Sequence, residues 1–229
     1  LEVSNETPIV GDVSSPTSAE VKQRIYDTFP TQNRAVTQQD YENLVYRMPA
    51  KFGSIKRCSV QKDPDSQKRN LNVYVVSEDP QRKLINTNDT IKTNLKTWLN
   101  HYRMINDTID ILDPFIINFG INFIIKPEKN VDKFKVLDDC VIALANEFSS
   151  PLFIGESISK SSIFNVLNNV QGVSDVVKAQ IINKTSVNYS NVFFSISDNV
   201  SPDGDVVICP KNAIFEMKFP EVDIKGKLR

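Results

Sequence analysis

The segment at residues 115–126 constrains the fold of this chain more than any other segment does. It reads F-I-I-N-F-G-I-N-F-I-I-K and is the most apolar run of the sequence, rich in β-branched and aromatic residues. Residues of these types are enriched in strands, and such a run is typical of a buried one. It therefore predicts a central strand, with Gly120 marking a bulge or bend within it.

Apolar residues at helical spacing predict helices on either side of this strand. In the strongest of them, residues 89–105, the apolar side chains recur every three or four positions and polar residues fill the other face. Further helices are predicted at residues 131–148 and 162–170. The last is followed by Gly172, which suits the left-handed C′ position that ends many helices.

A pair of short helices opens the compact part of the chain. The run T-S-A-E at residues 17–20 has the pattern of a capping box, in which two side chains each accept a hydrogen bond from the other's backbone N–H. Pro30 stops this first helix. After a short loop, Thr37 and Asp40 repeat the pattern, with Asp in place of the usual Glu or Gln. A second helix is predicted to begin there.

Alternating or β-branched runs predict the remaining strands. Residues 54–61 and 70–77 flank a polar, turn-forming tract and predict an antiparallel hairpin with a loose loop. Another strand is predicted at residues 173–182. Three short strands follow without a helix between them, at residues 192–196, 206–209 and 214–219. Together these elements predict an α+β fold in which helices pack on a mainly antiparallel sheet, with a small all-β C-terminal unit.

The predicted domain organisation has three parts. Residues 1–16 are polar and contain Pro8, Gly11 and Pro16, so an extended lead-in is expected. Residues 17–185 are predicted to form the α+β domain, and residues 186–229 a small β domain or extension. Because the chain begins with Leu1, it is interpreted as part of something longer.

The composition disfavours two classes of partner. The formal net charge is −1, so no global field attracts polyanions or membrane surfaces. A locally basic tract at residues 51–69 lacks interleaved aromatic residues and is interpreted as a solvated hairpin. Cys58, Cys140 and Cys209 lack C-x-x-C spacing and are predicted to be reduced thiols in the core. Neither nucleic acid nor a membrane is therefore expected as a partner.

No constellation of catalytic or ligand-binding residues is visible in the sequence. The single histidine, His101, has none of the neighbouring Cys, His or paired carboxylates that a metal site or a catalytic triad needs. Residues 198–205 partly match a calcium loop but are better explained as a turn between strands. We therefore expect no catalytic residue, no cofactor, no metal and no small-molecule substrate, and predict that the chain is not an enzyme.

Two short motifs carry a resemblance to a known family. Residues 34–42 read R-A-V-T-Q-Q-D-Y-E, which resembles the phrase R-A-V-T-x-x-D-Y-E of J-like baseplate subunits from contractile-tailed phages and related injection machines. A capped helix and a loop precede the phrase, as in that family, and G-V-S-D-V at residues 172–176 is similar to the strand that closes its domain. The resemblance covers residues 17–182. The β-rich tail and Asn-rich composition look more like the large wedge subunit of T4-like phages, of which this would be a C-terminal portion.

The resemblance implies a mechanical function. Members of this family join baseplate wedges into a ring around the tail hub, and their C-terminal domains pair with copies of themselves. The ring pivots at its interfaces when the tail contracts. The resemblance thus implies a location in the virion tail baseplate, assembly in the host cytoplasm, and two kinds of partner: a second copy of the chain, as a homodimer, and other wedge proteins.

The residues that match the family motifs are expected to be structural. Asp40 is predicted to cap the helix and Tyr41 to pack, while Arg34 is predicted either to pair with a carboxylate or to face a partner. The full set of motif residues is Arg34, Thr37, Asp40, Tyr41, Gly172 and Asp175.

The predicted self-pairing surface lies in the tail. Interface centres are rich in aromatic residues and Met, and the tail strands carry more of these than a few short strands can cover. The candidate interface residues are Phe193, Phe194, Phe215, Met217 and Phe219. An equally weighted alternative is that these side chains pack on the main domain.

Two other functions remain open at this point. A ferredoxin-like module that binds a small molecule or regulates another protein would use the same order of strands and helices. A hydrolase would need polar residues that converge in a pocket, with strongly perturbed titrating groups, and the scarcity of His and Gly disfavours it.

Overall fold

The computed structural model describes residues 15–28, 34–64, 66 and 70–229. The helices of these residues are α1 (Ser18–Thr28), α2 (Gln38–Tyr46), α3 (Asp89–Asn100), α4 (Lys133–Glu147), α5 (Lys160–Asn168) and α6 (Pro220–Asp223). Their strands are β1 (Arg57–Lys62), β2 (Asn70–Glu78), β3 (Leu84–Asn86), β4 (Thr108–Leu112), β5 (Phe115–Pro127), β6 (Ile158–Ser159), β7 (Val173–Asn183), β8 (Val206–Val207), β9 (Ala213–Glu216) and β10 (Ile224–Leu228). The predicted α+β class is confirmed.

Contacts divide the chain into two units, Leu1–Pro114 and Phe115–Arg229, which we call the N-terminal and the C-terminal unit. The sheet of the N-terminal unit is built around β2, which pairs antiparallel with β1 and β3 and parallel with β4. Alternation along β2 turns Val73 and Val75 to the same face, where they are buried with Leu44 from α2 and Leu95 from α3. This unit therefore has its own apolar core.

The C-terminal unit is built around β5. On one side this strand pairs antiparallel with β7. On the other side, β9 pairs parallel with its first half and β10 pairs parallel with its second half. Helix α4 packs against β10 and α5 packs against β7, and β6 and β8 form a short antiparallel ribbon. Among the described residues, four strand pairs are antiparallel and three are parallel, as expected for a mainly antiparallel sheet.

The second half of β5 has one covered face and one open face. Phe119, Ile121, Phe123 and Ile125 are all buried in the core with side chains from α4 and α5. The residues between them point the other way, and Ile124 is only partly buried. Because successive side chains of a strand point to opposite faces, the helices cover only one side of this sheet.

The structure corrects the role predicted for Gly120. The register shifts between β5 and β7 lie at Ile124/Ile125 and Lys126/Pro127, so Gly120 is not a bulge. A Cβ atom at Gly120 would lie 2.6 Å from the backbone oxygen of Asp223. Glycine is therefore needed here for close approach of the backbone that leads into β10.

Most long elements were predicted, and several short ones were not. The central strand, the β1–β2 hairpin, α3, α4, α5 and β7 all occur close to their predicted positions. The sequence reasoning missed β3, β4, β6 and β10. It also placed a strand at residues 192–196, which contain no strand, and extended β9 beyond Glu216.

The division into units differs from the predicted boundary at residues 185/186. Strands β9 and β10 pair with β5, so of the two predicted alternatives the tail is an extension that completes the sheet of the C-terminal unit and not a separate β domain. The division falls instead after Pro114. Residues 1–14 of the predicted lead-in lie outside the described residues.

Candidate functional site

The first family motif forms the capped start of α2. Asp40 N donates a 3.2 Å hydrogen bond to Thr37 Oγ1, and Thr37 N donates a 2.8 Å bond to Asp40 Oδ2. Asp40 Oδ2 also accepts from Val36 N at 3.0 Å. The predicted capping box is therefore confirmed, with Asp40 satisfying two N–H groups ahead of the helix.

The side chains around this cap tie α2 to its unit. Tyr41 is buried, and its hydroxyl donates a 2.7 Å hydrogen bond to buried Asp107. Ala35, which carried no role in the sequence reasoning, is fully buried, and its N–H donates to the Tyr102 carbonyl at 2.9 Å. Arg34 is exposed, and its contact with a partner stays a prediction.

Glu20 of α1 makes two kinds of contact. Its Oε2 accepts from Thr17 N at 3.0 Å, which completes the predicted capping box, and its Oε1 lies 2.9 Å from Arg57 Nη2. The Arg57 side chain is only 3% exposed. Burial acts to raise the pKa of Glu20, but the Thr17 hydrogen bond and the Arg57 charge outweigh it, so the pKa is lowered.

The second motif contains a glycine with a positive φ angle. Gly172 has φ of +92°, and a Cβ atom there would lie 2.9 Å from Val136 Cγ2. The predicted left-handed conformation is therefore confirmed. Its position is not, because α5 ends at Asn168 with Asn169 as the C-cap, and Gly172 lies in the turn beyond. Asp175 is exposed and lies opposite Lys126 in the β5–β7 register.

Most of the predicted interface residues lie inside the C-terminal unit. Phe215 is 1% exposed, and Phe194 and Met217 are also buried. The ring of Phe215 meets that of Phe194 at 5.6 Å between centroids. The prediction that these three residues form an interaction surface is therefore corrected, and the alternative that they pack internally applies. Phe219 is half-buried, with its ring 5.5 Å from Tyr189.

Phe193 is the member of that set that faces solvent, with 80% of its surface exposed. The loop before it is held by β5, because Ser190 N donates to Asn118 Oδ1 at 2.7 Å and Lys184 N donates to the Asn118 carbonyl at 2.9 Å. The buried Asn118 amide in turn donates to Glu216 Oε2 at 2.8 Å. Phe193 thus stands on a segment whose backbone is fixed nearby.

A buried carboxylate holds the same loop from the other side. Asp223 is fully buried and accepts a 2.6 Å hydrogen bond from the Tyr189 hydroxyl and a 2.9 Å bond from Phe219 N. Lys184 Nζ lies 3.7 Å away. Burial and the hydrogen bond to Asp223 raise the pKa of Tyr189 to about 12. This cluster of hydrogen-bonded polar residues was not predicted from the sequence. The one feature that could have indicated it is Asn118, a polar residue within the most apolar run.

The loop at residues 198–205, which partly matches a calcium site, contacts the start of α5. Asp205 accepts hydrogen bonds from Ser161 Oγ at 2.7 Å, Ser161 N at 2.9 Å and Ser159 Oγ at 2.9 Å, at the start of α5. These hydrogen bonds lower the pKa of Asp205. The carboxylate therefore acts as a helix cap supplied from a distant loop.

The other polar candidates do not assemble into a site. No group of three or more His, Cys, Asp or Glu residues that could hold a metal ion occurs in the described part of the chain. His101 is exposed at the C-cap of α3. Cys58, Cys140 and Cys209 are buried free thiols, as predicted, and burial raises the pKa of each. No described helix is long and apolar enough to cross a membrane.

Comparison with known proteins gives a structural likeness. No protein-family model and no curated protein matches this sequence. Among solved structures, the fold is similar to a chain in the cryo-EM structure of the anti-feeding prophage baseplate, 6-fold symmetrised. The TM-score is 0.54 at 11% sequence identity, and the match covers 89% of this chain but 42% of that one. This chain therefore has the fold of a baseplate chain and spans less than half of its length.

Proposed function

We propose that this chain is a structural subunit of the baseplate of a contractile tail or injection machine. The observation that carries the proposal is the fold it shares with a prophage baseplate chain over 89% of its length. The two motifs that resemble J-like baseplate subunits support it independently, because they were found in the sequence without reference to the fold. The likeness does not favour the small-molecule-binding alternative.

The narrower proposal is that the chain is a C-terminal portion of a large wedge subunit of the T4 type. It links wedges into a ring around the hub, contacts other wedge proteins, and pivots at its interfaces during contraction. The resemblance of its motifs supports this assignment, as does the fact that the neighbouring baseplate chain is more than twice as long as the part matched here. A ring-forming role requires at least one self-complementary or head-to-tail surface.

We place the self-pairing surface around Phe193. A large aromatic side chain with 80% of its surface exposed is a candidate contact point. Asn118 and Asp223 fix the preceding loop through hydrogen bonds to Ser190 and Tyr189, so little conformational freedom is lost when Phe193 is covered. Pre-organisation of this kind favours association.

Light scattering across a hundredfold dilution tests the self-pairing, with Phe193→Ser as the variant. Phe134→Ser is the matched control, because Phe134 is 74% exposed on α4 of the same unit. We expect a dimer for the parent chain and for Phe134→Ser, and a monomer for Phe193→Ser. A parent chain that is monomeric at every concentration, or equal dissociation by both variants, would exclude this surface.

A further inference from the structure

The open face of the C-terminal sheet is basic. The register places Ile124 between Lys227 of β10 and Lys178 of β7, and Asn122 between Lys225 and Gln180. These six side chains line a shallow groove of about 260 Å³ across the three strands. All three lysines are exposed, on the side of the sheet that α4 and α5 leave uncovered. We call these six residues the basic face.

In the part of the chain that the structure describes, the three lysines of the basic face are not paired with acidic side chains. Within the described residues, no ion pair joins Lys178, Lys225 or Lys227 to a carboxylate. Residues two apart on a strand lie about 7 Å apart and neighbouring strands about 4.8 Å apart, so the backbone positions of the three lysines lie about 7 to about 12 Å from one another. Like charges so close repel one another, and an anionic partner would relieve that repulsion.

Two further features distinguish the face from a scatter of surface lysines. Ile124, at its centre, provides an apolar contact that is only partly buried. Asn122 Oδ1 is buried and has no hydrogen-bond partner among the described residues. An unsatisfied acceptor in such a place is costly.

These features fit an acidic polypeptide better than a nucleic acid. Base stacking needs exposed aromatic rings, and the ring of Phe123 is buried on the other side of the sheet. The spacing of Lys225 and Lys227 along β10 equals that of alternate side chains in an extended peptide.

We propose that the basic face binds an extended acidic segment of a protein partner. Glutamate or aspartate side chains at alternate positions of that segment meet Lys225, Lys227 and Lys178, and an apolar side chain between them covers Ile124. The inference does not depend on the baseplate role, because it follows from the charges and register of this sheet.

A synthetic peptide of alternating glutamate and valine tests this proposal by fluorescence anisotropy against the whole chain. The Lys225→Glu/Lys227→Glu variant should bind at least tenfold more weakly. Lys133→Glu/Lys135→Glu is the matched control, because both positions are exposed in the first turn of α4 and the charge change is the same. The control should bind like the parent chain, and melting followed by circular dichroism should show both variants folded.

Three results would overturn the proposal. The first is that the parent chain does not bind the peptide at millimolar concentration. The second is an equal loss in the control, because binding would then follow net charge and not this face. The third is tighter binding of single-stranded oligothymidylate than of the peptide, which would assign the face to nucleic acid. A peptide with glutamine in place of glutamate should not bind, and raising salt from about 50 to about 200 mM should weaken the glutamate peptide.

Discussion

Tyr41 and Asp107, 66 residues apart in sequence, are joined by a buried 2.7 Å hydrogen bond from the tyrosine hydroxyl to Asp107 Oδ2. Asp107 immediately precedes β4, and its backbone oxygen also accepts from Arg103. The capping box fixes where α2 begins, and Tyr41 then anchors that helix to the turn before β4. The D-Y pair of the family phrase thus combines a helix cap with a tertiary contact.

Removing the Tyr41 hydroxyl should destabilise the N-terminal unit. Tyr41→Phe removes the donor of the 2.7 Å hydrogen bond to buried Asp107 Oδ2, and we expect the free energy of unfolding to fall by about 1–3 kcal/mol. Tyr26→Phe serves as control, because Tyr26 is exposed and should change it by less than about 0.5 kcal/mol. Urea denaturation measures both. Equal effects would show that the hydrogen bond does not stabilise the fold.

A side chain at Gly172 should be poorly tolerated. Gly172→Ala combines a positive φ with a Cβ contact of 2.9 Å to Val136, so we expect a loss of about 2–4 kcal/mol. Gly204→Ala has a similar φ of +75° and no atom within 4 Å, so only the strain of about 1–2 kcal/mol remains. The difference in thermal stability between the two variants reports the clash, and no difference would contradict the packing around Gly172.

Truncation of Phe215 should destabilise the fold far more than truncation of Phe193. Phe215→Ala removes a buried ring that packs on Phe119 and Phe194, and should cost about 3–5 kcal/mol. Phe193→Ala removes an exposed ring and should cost less than about 0.5 kcal/mol. Denaturation at a protein concentration low enough to exclude association separates stability from pairing. A folded, stable Phe215→Ala variant would reinstate Phe215 as a surface residue.

The Tyr189–Asp223 contact should make stability depend on alkaline pH. The pKa of Tyr189 is raised from 10.0 to about 12 in the folded protein. The neutral phenol is therefore favoured by folding, and its contribution is complete below pH 10 and disappears as pH rises toward 12. Tyr189→Phe lacks this contribution throughout. We expect the stability advantage of the parent chain over the variant to shrink between pH 10 and pH 12.

The stability of the parent chain has to be compared with that of Tyr189→Phe at each pH, because other groups titrate in the same pH range. Burial raises the pKa of Cys140 to about 11 and that of Cys209 to about 12. Both thiols are present in the parent chain and in the variant, so their effects cancel. A stability difference that stays constant from pH 9 to pH 12 would show that Tyr189 does not titrate in contact with Asp223.

The long helices and strands could be predicted because the patterns that specify them involve residues only a few positions apart in the sequence. Helical spacing along α3 and α4 and the capping boxes at Thr17 and Thr37 each depend on residues a few positions apart. The apolar run of β5 identified the central strand in the same way. Most ends of these elements were predicted to within three residues, but α3 ends at Asn100 although the helix was predicted to reach residue 105.

The missed elements depend on partners far away in the sequence. Strand β10 is the short, charged run I-K-G-K-L, and it exists as a strand because β5 provides a register for it. Conversely, a strand was predicted at residues 192–196, which pair with no strand among the described residues. Strand propensity depends on such context. Context also explains the wrong prediction for Phe215. All four residues of β9 are buried, so alternation of apolar and polar residues along this strand could not show that both of its faces are covered.

The proposed role as a baseplate subunit is tested most directly by locating this chain in assembled particles. We would label contractile particles from the source organism with an antibody against this chain and image them by electron microscopy. Label confined to the baseplate end of the tail is the predicted result. Particles without label, or label along the sheath or on the head, would contradict the assignment.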